Sequence, residues 1–287
     1  MCNRPCHAEL RTSLAKRSLL AILILTVIRT AAAEQLKPET AAAFDHYVQL
    51  SEQRMAKELA SGPFLRLDAS PPLAPDNVRL KKGEVITERL QTLDGSQHIP
   101  VTGGLVHHWM GTVFIPGTTL AQTLAFLQDY DNQYKSYAPD VQKSKLIQRN
   151  GNDYKIFLRL KKTKVVTVIL NAKCDAKYTL LSQDRATSDS HSTSIAEVEN
   201  PGKPDESERP VGNDSGFLWR LNSYWRFLQR DGGVYVQLEA ISLTRDIPTG
   251  LGWLISPFIT SIPKESLVFT LNRTRDALEA KRTESSP

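Results

Sequence analysis

The sequence contains few cysteines, and they are not spaced to stabilise a fold. Of the three, Cys2 and Cys6 lie near the start and only Cys174 lies in the body of the chain. A disulfide framework needs paired cysteines, and a structural zinc site needs about four ligands. The sequence therefore predicts a fold stabilised by its hydrophobic core, with no metal and no cofactor.

A run of about 20 apolar residues, the length that a membrane-spanning helix requires, is also missing. The apolar stretch from Leu19 to Ile28 is shorter, follows three basic residues and precedes three alanines. A basic start, about 10 apolar residues and a small-residue end are typical of a secretory signal. We therefore predict a signal peptide over residues 1–33 and an exported protein, periplasmic or secreted, with no stable membrane span after cleavage. An uncleaved anchor is the alternative.

An excess of positive charge is missing once that segment is set aside. The chain has 36 basic and 31 acidic residues, but residues 1–33 hold five of the basic and one of the acidic residues, so the net charge falls from +5 to +1. Phosphate contacts from basic residues supply much of the affinity of nucleic-acid binders. We therefore predict no nucleic-acid partner.

Motifs of catalysis and metal binding are missing as well. The sequence has no nucleophile elbow, phosphate-binding loop or zinc-protease pattern. His107 and His108 are adjacent on a predicted strand and should point to opposite faces, so they are not expected to share a metal. Asp129, Asp131 and Asp140 do not have the spacing of a calcium loop. These patterns favour a binding protein over an enzyme.

Alternation of apolar and polar residues is the clearest pattern present. From Val166 to Leu180, apolar or small residues mostly alternate with polar ones, which predicts a strand with one dry and one wet face. Such strands form antiparallel sheets covered on one side. Cys174 lies on the dry face and is expected to be a buried structural thiol. Further strands are predicted over 103–116, 143–150, 153–162 and 185–200, the last with Ser190, Ser192 and Ser194 either solvated or forming the polar wall of a cavity.

Three segments have the period or composition of helices. Residues 38–60 place Phe44, Val48, Met55 and Leu59 on one stripe, which predicts a packing helix that ends at Gly62-Pro63. A second helix is predicted over 118–134, capped by Thr118 or Thr119. The last is predicted over 262–280, where Pro263 suits an early position and the stripe is Leu267, Leu271, Thr274 and Leu278. Residues 201–216 are predicted to be a loop.

Three stretches of the chain resemble the START-like superfamily, also called helix-grip or SRPBCC proteins. They are FLQDYDNQYKSYAPDVQKSKL, SHSTSIAEVEN and GFLWRLNSYWRFLQRDGGVYVQLEAISLTRDIPTGLGWLISPF, and the order of elements between residues 100 and 280 fits too. The resemblance implies an exported, bacterial-type member with an α+β fold, in which a curved antiparallel sheet wraps around a long C-terminal helix, with an N-terminal helical extension. Members of the superfamily bind lipids, sterols, pigments and other hydrophobic molecules, and some are cyclases or hydrolases. The fold alone does not assign an activity.

The segment YWRFLQRDGGVYVQLEAISL, residues 224–243, predicts a hairpin with a two-residue turn at Asp231-Gly232. That turn pairs Phe227 with Val236 and Trp225 with Leu238 on one face, and Arg226 with Gln237 and Tyr224 with Glu239 on the other. Two orientations stay open. Either Trp225, Phe227 and Leu238 lie under the terminal helix while Arg226 and Glu239 pair in water, or Tyr224, Arg226 and Glu239 point inward and orient a ligand's polar end.

From these patterns we predict four segments and one site. The segments are a signal peptide (1–33), an N-terminal helix and linker (34–80), a START-like domain (81–280) and a disordered tail (281–287). The site has no catalytic residue and binds its ligand through Trp109, Phe114, Tyr178, Tyr224, Trp225, Arg226 and Glu239.

The predicted function is that of an exported, non-catalytic protein that holds a lipid or other hydrophobic small molecule in a cavity between the sheet and the C-terminal helix. One alternative is a cyclase- or hydrolase-like enzyme of the same fold, in which Tyr224, Arg226 and Glu239 act as acid–base or orienting groups. Another is an interaction module that docks a partner through residues 201–216 or the N-terminal helix.

Overall fold

The computed structural model describes residues 34–69, 75–164, 167–246 and 252–284, and for residues 34, 252–260 and 284 it describes the backbone alone. The predicted signal peptide lies outside these ranges. Five α-helices occur in this part of the chain: α1 (Pro38–Ser61), α2 (Pro75–Lys81), α3 (Leu120–Gln128), α4 (Gln133–Ser136) and α5 (Gly252–Glu284). A 3-10 turn spans Arg66–Ala69.

The described residues also form one large antiparallel sheet. Its strands are β2 (Ile86–Arg89), β5 (Gly104–Pro116), β6 (Val141–Asn150), β7 (Asp153–Thr163), β8 (Thr167–Leu180), β9 (Arg185–Glu199), β10 (Ser207–Glu208), β12 (Arg220–Arg230) and β13 (Gly233–Arg245). They lie in the order β2-β5-β13-β12-β9-β8-β7-β6, with β10 added beside β9. Two small sheets pair β1 (Glu34–Gln35) with β11 (Asn213–Asp214) and β3 (Leu93–Asp94) with β4 (Gln97–His98).

The hairpin of β12 and β13 has the predicted register. Arg230 pairs with Gly233, Phe227 with Val236 and Trp225 with Leu238. Asp231 and Gly232 both have positive φ, 59° and 74°, which is the turn geometry that matches the twist of the two strands. The Asp-Gly pair therefore fixes which residues share a face.

The C-terminal helix packs against one face of the sheet, here called the inner face. Leu267, Leu271 and Leu278 of α5 are buried in the main core with residues of β5, β12 and β13. Together with Thr274, which is fully buried, they form the predicted stripe. The expected α+β arrangement of an antiparallel sheet on a long terminal helix is confirmed.

The opposite face, here called the outer face, is covered by α1. Phe44, Tyr47, Val48 and Met55 form a second core with Trp219, Ile241 and Leu243. A third cluster packs Phe64 and Leu65, just after α1, on Phe114, Leu228 and Tyr235. The centre of the sheet is therefore buried on both faces, whereas the alternation in the sequence predicts cover on one side only.

Three details of the predicted elements are wrong. Helix α5 begins at Gly252, well before residue 262, and so runs through Pro263 instead of starting there. The helix predicted over 118–134 is divided into α3 and α4, although Thr119 caps α3 as expected. In α1, Leu59 is 41% exposed, and Thr40 and Ser51 are buried instead, because α1 docks through hydrogen bonds as well as apolar contacts.

Within the described residues no helix has both the length and the apolar character that crossing a bilayer requires.

Candidate functional site

Small side chains occupy the middle of the inner face. Across four neighbouring strands, Ala240, Ser223, Ser190 and Ala176 lie side by side in one row. Cys174 and Ser192 are paired in the next row. Alanine, serine and cysteine reach only a short distance from the backbone, so this part of the inner face forms a shallow floor.

Large side chains stand around that floor. Trp109 pairs with Ala240, Trp225 with Leu238, Tyr154 with Ala176 and Tyr178 with Ser188. The two tryptophans differ from the tyrosines in exposure, because Trp109 and Trp225 pack against the main core yet are only partly buried. These two inward-facing rings are therefore not completely covered by the rest of the protein.

The same half-exposure extends to further inward-facing residues. Leu158, Leu160, Leu221, Ala240 and Phe269 are partly buried and pack against the main core, and Ser190 and Ser223 of the floor are partly buried too. By contrast, Val113, Val236 and Phe227, at the other end of the same strands, are completely buried. The inner face is therefore tightly packed at one end and looser at the end near Trp109 and Leu221.

A cluster of tyrosines closes one side of the floor. The hydroxyls of Tyr130 and Tyr178 are 3.0 Å apart, and the Tyr154 ring lies between theirs, with centroid distances of 5.5 and 5.4 Å. Burial raises the pKa of both Tyr130 and Tyr178 well above the ordinary value, so both phenols are neutral. The hydroxyl of Tyr154 is buried without any hydrogen-bond partner in the protein.

Cys174 belongs to the floor and is buried, as the alternation predicts. Burial raises the pKa of its thiol to about 12, with a smaller contribution from the charge of Asp175. At neutral pH the thiol is protonated, which is the state of a structural cysteine and not of a nucleophile.

The seven predicted site residues are divided between the two faces of the sheet. Trp109, Tyr178 and Trp225 lie on the inner face and surround the floor. Phe114 and Tyr224 pack on the outer face, beneath Phe64 and α1 respectively. Arg226 and Glu239 also lie on the outer face, where both contact residues of α1. The structure therefore brings three of the seven together and places the other four beneath the N-terminal segment.

Both predicted orientations of the hairpin need correction. Trp225, Phe227 and Leu238 do face the terminal helix, as the first proposes, but Arg226 and Glu239 are only 5% and 3% exposed and do not lie in water. The second orientation has Tyr224, Arg226 and Glu239 pointing inward, towards α5 and the ligand. In the structure these three residues lie on the outer face and point away from α5. The reason is that α1, which the sequence shows only as a packing helix, covers this face with charges of its own.

Arg226 and Glu239 each bind α1 instead of each other. Arg226 donates hydrogen bonds to Glu58, at 2.8 Å, and to the carbonyl of Phe64, at 3.0 Å. Arg54 is paired with both Glu239 and Glu58. Burial alone would raise the pKa of Glu58, but its bonds to Arg54 and Arg226 outweigh burial and hold the pKa below the ordinary value.

A buried histidine extends this network. His108 Nε2 lies 2.6 Å from Glu239, and the hydroxyl of Tyr47 lies 2.9 Å from His108 Nδ1. The backbone N–H of Thr92 donates to the same Tyr47 hydroxyl, so that hydroxyl can give its own proton to His108. This arrangement suits a ring protonated on Nε2, which donates to Glu239. No side chain of this network is among the buried groups of the described residues that lack a hydrogen-bond partner, as a polar network that docks a helix requires.

The polar residues of α1 are the contacts that sequence reasoning missed. In the sequence, three of these residues look like an ordinary solvated helix face: Glu52, Arg54 and Glu58. In the structure, Glu52 accepts a hydrogen bond from Tyr224 at 2.7 Å. A signal was present, because Tyr47 and Ser51 extend the apolar stripe of Phe44, Val48 and Met55 at helical spacing.

A separate polar groove lies on the uncovered part of the outer face. It has a volume of about 420 Å³ and runs across β6 to β9, lined by Gln148, Asn150, Asp153, Tyr154, Lys155, Asp175, Ala176, Lys177, Asp189 and His191. His191 also contacts Glu52, at 2.9 Å. Most of this lining is charged or amide-bearing, which does not suit an apolar ligand.

The structure combines an antiparallel sheet, two short helices after β5 and a long terminal helix on the inner face. This is the helix-grip arrangement that the sequence resemblance implies, with a long C-terminal helix packed on an antiparallel sheet. In it, α1 is the N-terminal helical extension that covers the outer face.

Comparison with solved structures finds similar chains at low sequence identity. The STAR-related lipid transfer protein from Xanthomonas axonopodis is 16% identical over 67% of this chain and 98% of its own, with a TM-score of 0.43. The Zhui aromatase/cyclase from Streptomyces sp. R1128 is 10% identical over 61% and 94%, also with a TM-score of 0.43. Human STARD10 is 10% identical over 75% and 84%, with a TM-score of 0.41. No protein-family model and no curated protein matches the chain.

Proposed function

We propose that this is an exported, non-catalytic binding protein that holds a lipid or other hydrophobic small molecule between the inner face and α5. The observation that carries the proposal is the floor of small residues on the face of the sheet that α5 packs against, bordered by the partly exposed rings of Trp109 and Trp225. Apolar concave sites with few polar groups are the usual place for such ligands.

The polar residues considered for catalysis support a binding role. Tyr224, Arg226 and Glu239 lie on the outer face and are held by Glu52, Glu58 and Arg54 of α1. Acid–base catalysis would require at least one of them within reach of the ligand. The phenols and the thiol that do surround the floor are neutral at physiological pH.

Filling the floor tests this proposal. Ser190→Phe places a ring in the space above the floor, whereas Lys177→Phe places the same ring on the outer face of the neighbouring strand. We expect native mass spectrometry and solvent extraction of the purified protein to detect a co-purified hydrophobic molecule, retained by Lys177→Phe and lost from Ser190→Phe. A purified protein that carries no such molecule and binds no hydrophobic probe would refute the proposal.

Export rests on the pattern of residues 1–33 and needs its own test. Expression of the full chain followed by fractionation and N-terminal sequencing should yield a mature protein that begins close to Glu34. Recovery of the intact chain from the cytoplasm would contradict export without bearing on ligand binding.

A further inference from the structure

The floor and its surroundings also indicate what kind of polar group the ligand carries. We propose that the ligand has one uncharged hydrogen-bonding group, a hydroxyl or a carbonyl, which accepts a hydrogen bond from Tyr154. This inference rests on the proposed function, because it names the chemistry of the ligand held in the same space.

The hydroxyl of Tyr154 is the first observation. The residue is only 2% exposed, and its hydroxyl has no hydrogen-bond partner in the protein. Buried polar groups in native proteins nearly always have a partner, so a lone one needs an explanation. Tyr154 pairs with Ala176 of the floor, which places it at the end of the row formed by Ala176, Ser190, Ser223 and Ala240. An atom of the ligand at this end of the row would supply the missing acceptor.

The second observation is that the charged side chains near the floor, Lys264 and Arg149, lie only at its margins. In the described part of the chain, the side chains that form or border it are hydroxyls, a thiol, aromatic rings and aliphatic groups: Tyr130, Tyr154, Tyr178, Cys174, Ser188, Ser190, Ser192, Ser223, Trp109 and Trp225. The first residues of α5, 252–263, include no charged residue in the sequence. An ionised headgroup placed on this floor would lose its water without gaining a counter-charge.

Two cationic side chains lie at the margins of the floor, and they would favour a ligand with a charged headgroup instead. The Lys264 ammonium is 5.5 Å from the centre of the Trp109 ring, and the Arg149 guanidinium is 5.0 Å from the centre of the Tyr154 ring. Both residues are exposed, and Arg149 also donates to the carbonyl of Gly151 at 3.0 Å. A ligand with a carboxylate would bind through one of these cations, with its headgroup at the margin instead of at the Tyr154 hydroxyl.

Matched twelve-carbon probes separate these outcomes. After removal of co-purified lipid, binding of 1-dodecanol, 2-dodecanone, dodecanoate and dodecane is measured by displacement of a fluorescent apolar dye at pH 7.5. We expect the alcohol and the ketone to bind about tenfold more tightly than dodecanoate and dodecane, the size of effect that one hydrogen bond gives. Tyr154→Phe should abolish this preference, while dodecane binds the variant as it binds the wild type.

The same variant has a second readout that a purely structural role of Tyr154 would not give. Because the hydroxyl has no hydrogen-bond partner among the protein's own groups, Tyr154→Phe should leave the melting temperature of the lipid-free protein unchanged or raise it. Tyr130→Phe is the matched control, since it removes the hydrogen bond to Tyr178 and should lower that temperature. A clear loss of stability in lipid-free Tyr154→Phe would overturn the assignment.

The results also distinguish this inference from the function on which it rests. If none of the probes binds and no lipid co-purifies, the proposed function fails and the inference fails with it. If dodecanoate binds as tightly as dodecanol, and Arg149→Gln or Lys264→Gln weakens it, the protein binds hydrophobic ligands but the uncharged headgroup is wrong. Preference for the alcohol and ketone that depends on Tyr154 supports both.

Discussion

Gly111 of β5 lies directly beneath Leu271 of α5, so closely that a Cβ atom on Gly111 would come within 2.7 Å of the Leu271 Cδ1 atom. Leu267 approaches the same position. Glycine fits here because the side chains of Leu267 and Leu271 pack directly on the strand backbone, where a Cβ atom would overlap them. The contact sets the height of α5 above the sheet one row away from Ala240, where the floor of small residues lies.

A methyl group at this position should therefore push Leu267 and Leu271 away from the strand. We expect Gly111→Ala to lower the free energy of unfolding by about 1–3 kcal/mol, the usual cost of overpacking a core. Urea denaturation would measure it. Because the clash involves Leu267 as well as Leu271, the double variant with Leu267→Ala should lose less stability than the sum of the two single variants. Simple additivity would show that the two residues are not in contact.

Glu239 should be far more important for stability than an exposed acid of the same type. Removing its charge with Glu239→Gln leaves Arg54 without one of its two acidic partners on a buried face, which costs about 3–5 kcal/mol for a buried pair. The matched control is Glu88→Gln, which breaks the exposed pair with Arg66 and should cost about 0–1 kcal/mol. Equal effects of the two substitutions on thermal unfolding would contradict the docking of α1 on this face.

His107 should make the protein sensitive to mild acid. Burial, with a smaller contribution from the charge of Arg89, lowers its pKa from 6.5 to about 4. Below pH 6.5 the unfolded chain takes up a proton that the folded protein does not accept until about pH 4, so stability is lost as the pH falls through this window. The loss amounts to about 3 kcal/mol from this residue.

His107→Asn should flatten the dependence of unfolding free energy on pH between 6.5 and 4, while the exposed His98→Asn should leave it as in the wild type. An unchanged slope in His107→Asn would show that His107 is not the group responsible.

Cys174 should be inert while the protein is folded. Its raised pKa and its position on the floor predict negligible reaction with a thiol-specific disulfide reagent at pH 8, and rapid stoichiometric reaction in denaturant. Labelling followed by intact-mass measurement distinguishes the two states. Complete labelling of the native protein within minutes would mean that the floor is open to solvent.

Much of the fold can be predicted from the sequence because its signals are local. The Asp-Gly turn alone sets the register of β12 and β13, and the alternation of β8 correctly places Cys174 inside. The serines of β9 show the limit of such reasoning. A bulge opposite Lys173 and Cys174 shifts the phase, so Ser190 and Ser192 lie on the inner face whereas Ser194 pairs with the exposed Lys173. Nothing in the serine pattern signals the bulge.

The site was harder to predict, because the placement of Arg226 and Glu239 depends on a contact with residues that are distant in sequence. Arg226 and Glu239 look like a solvated pair of a one-sided sheet, and only the docking of α1, far away in sequence, removes them from water. Charges are expected at the surface unless a partner is known. The partners, Arg54 and Glu58, lie four residues apart on a helix whose polar side looks equally ordinary.

Strand β13 contacts α5 on one face and α1 on the other. Leu238 faces α5, and its neighbour Glu239 is bound to Arg54 of α1. A strand cannot slide by a single residue without exchanging its faces. A slip of β13 by one residue would therefore turn Leu238 away from α5 and at the same time break the ion pair between Glu239 and Arg54. In this protein the N-terminal helix helps to fix the register of a strand whose opposite side faces the C-terminal helix.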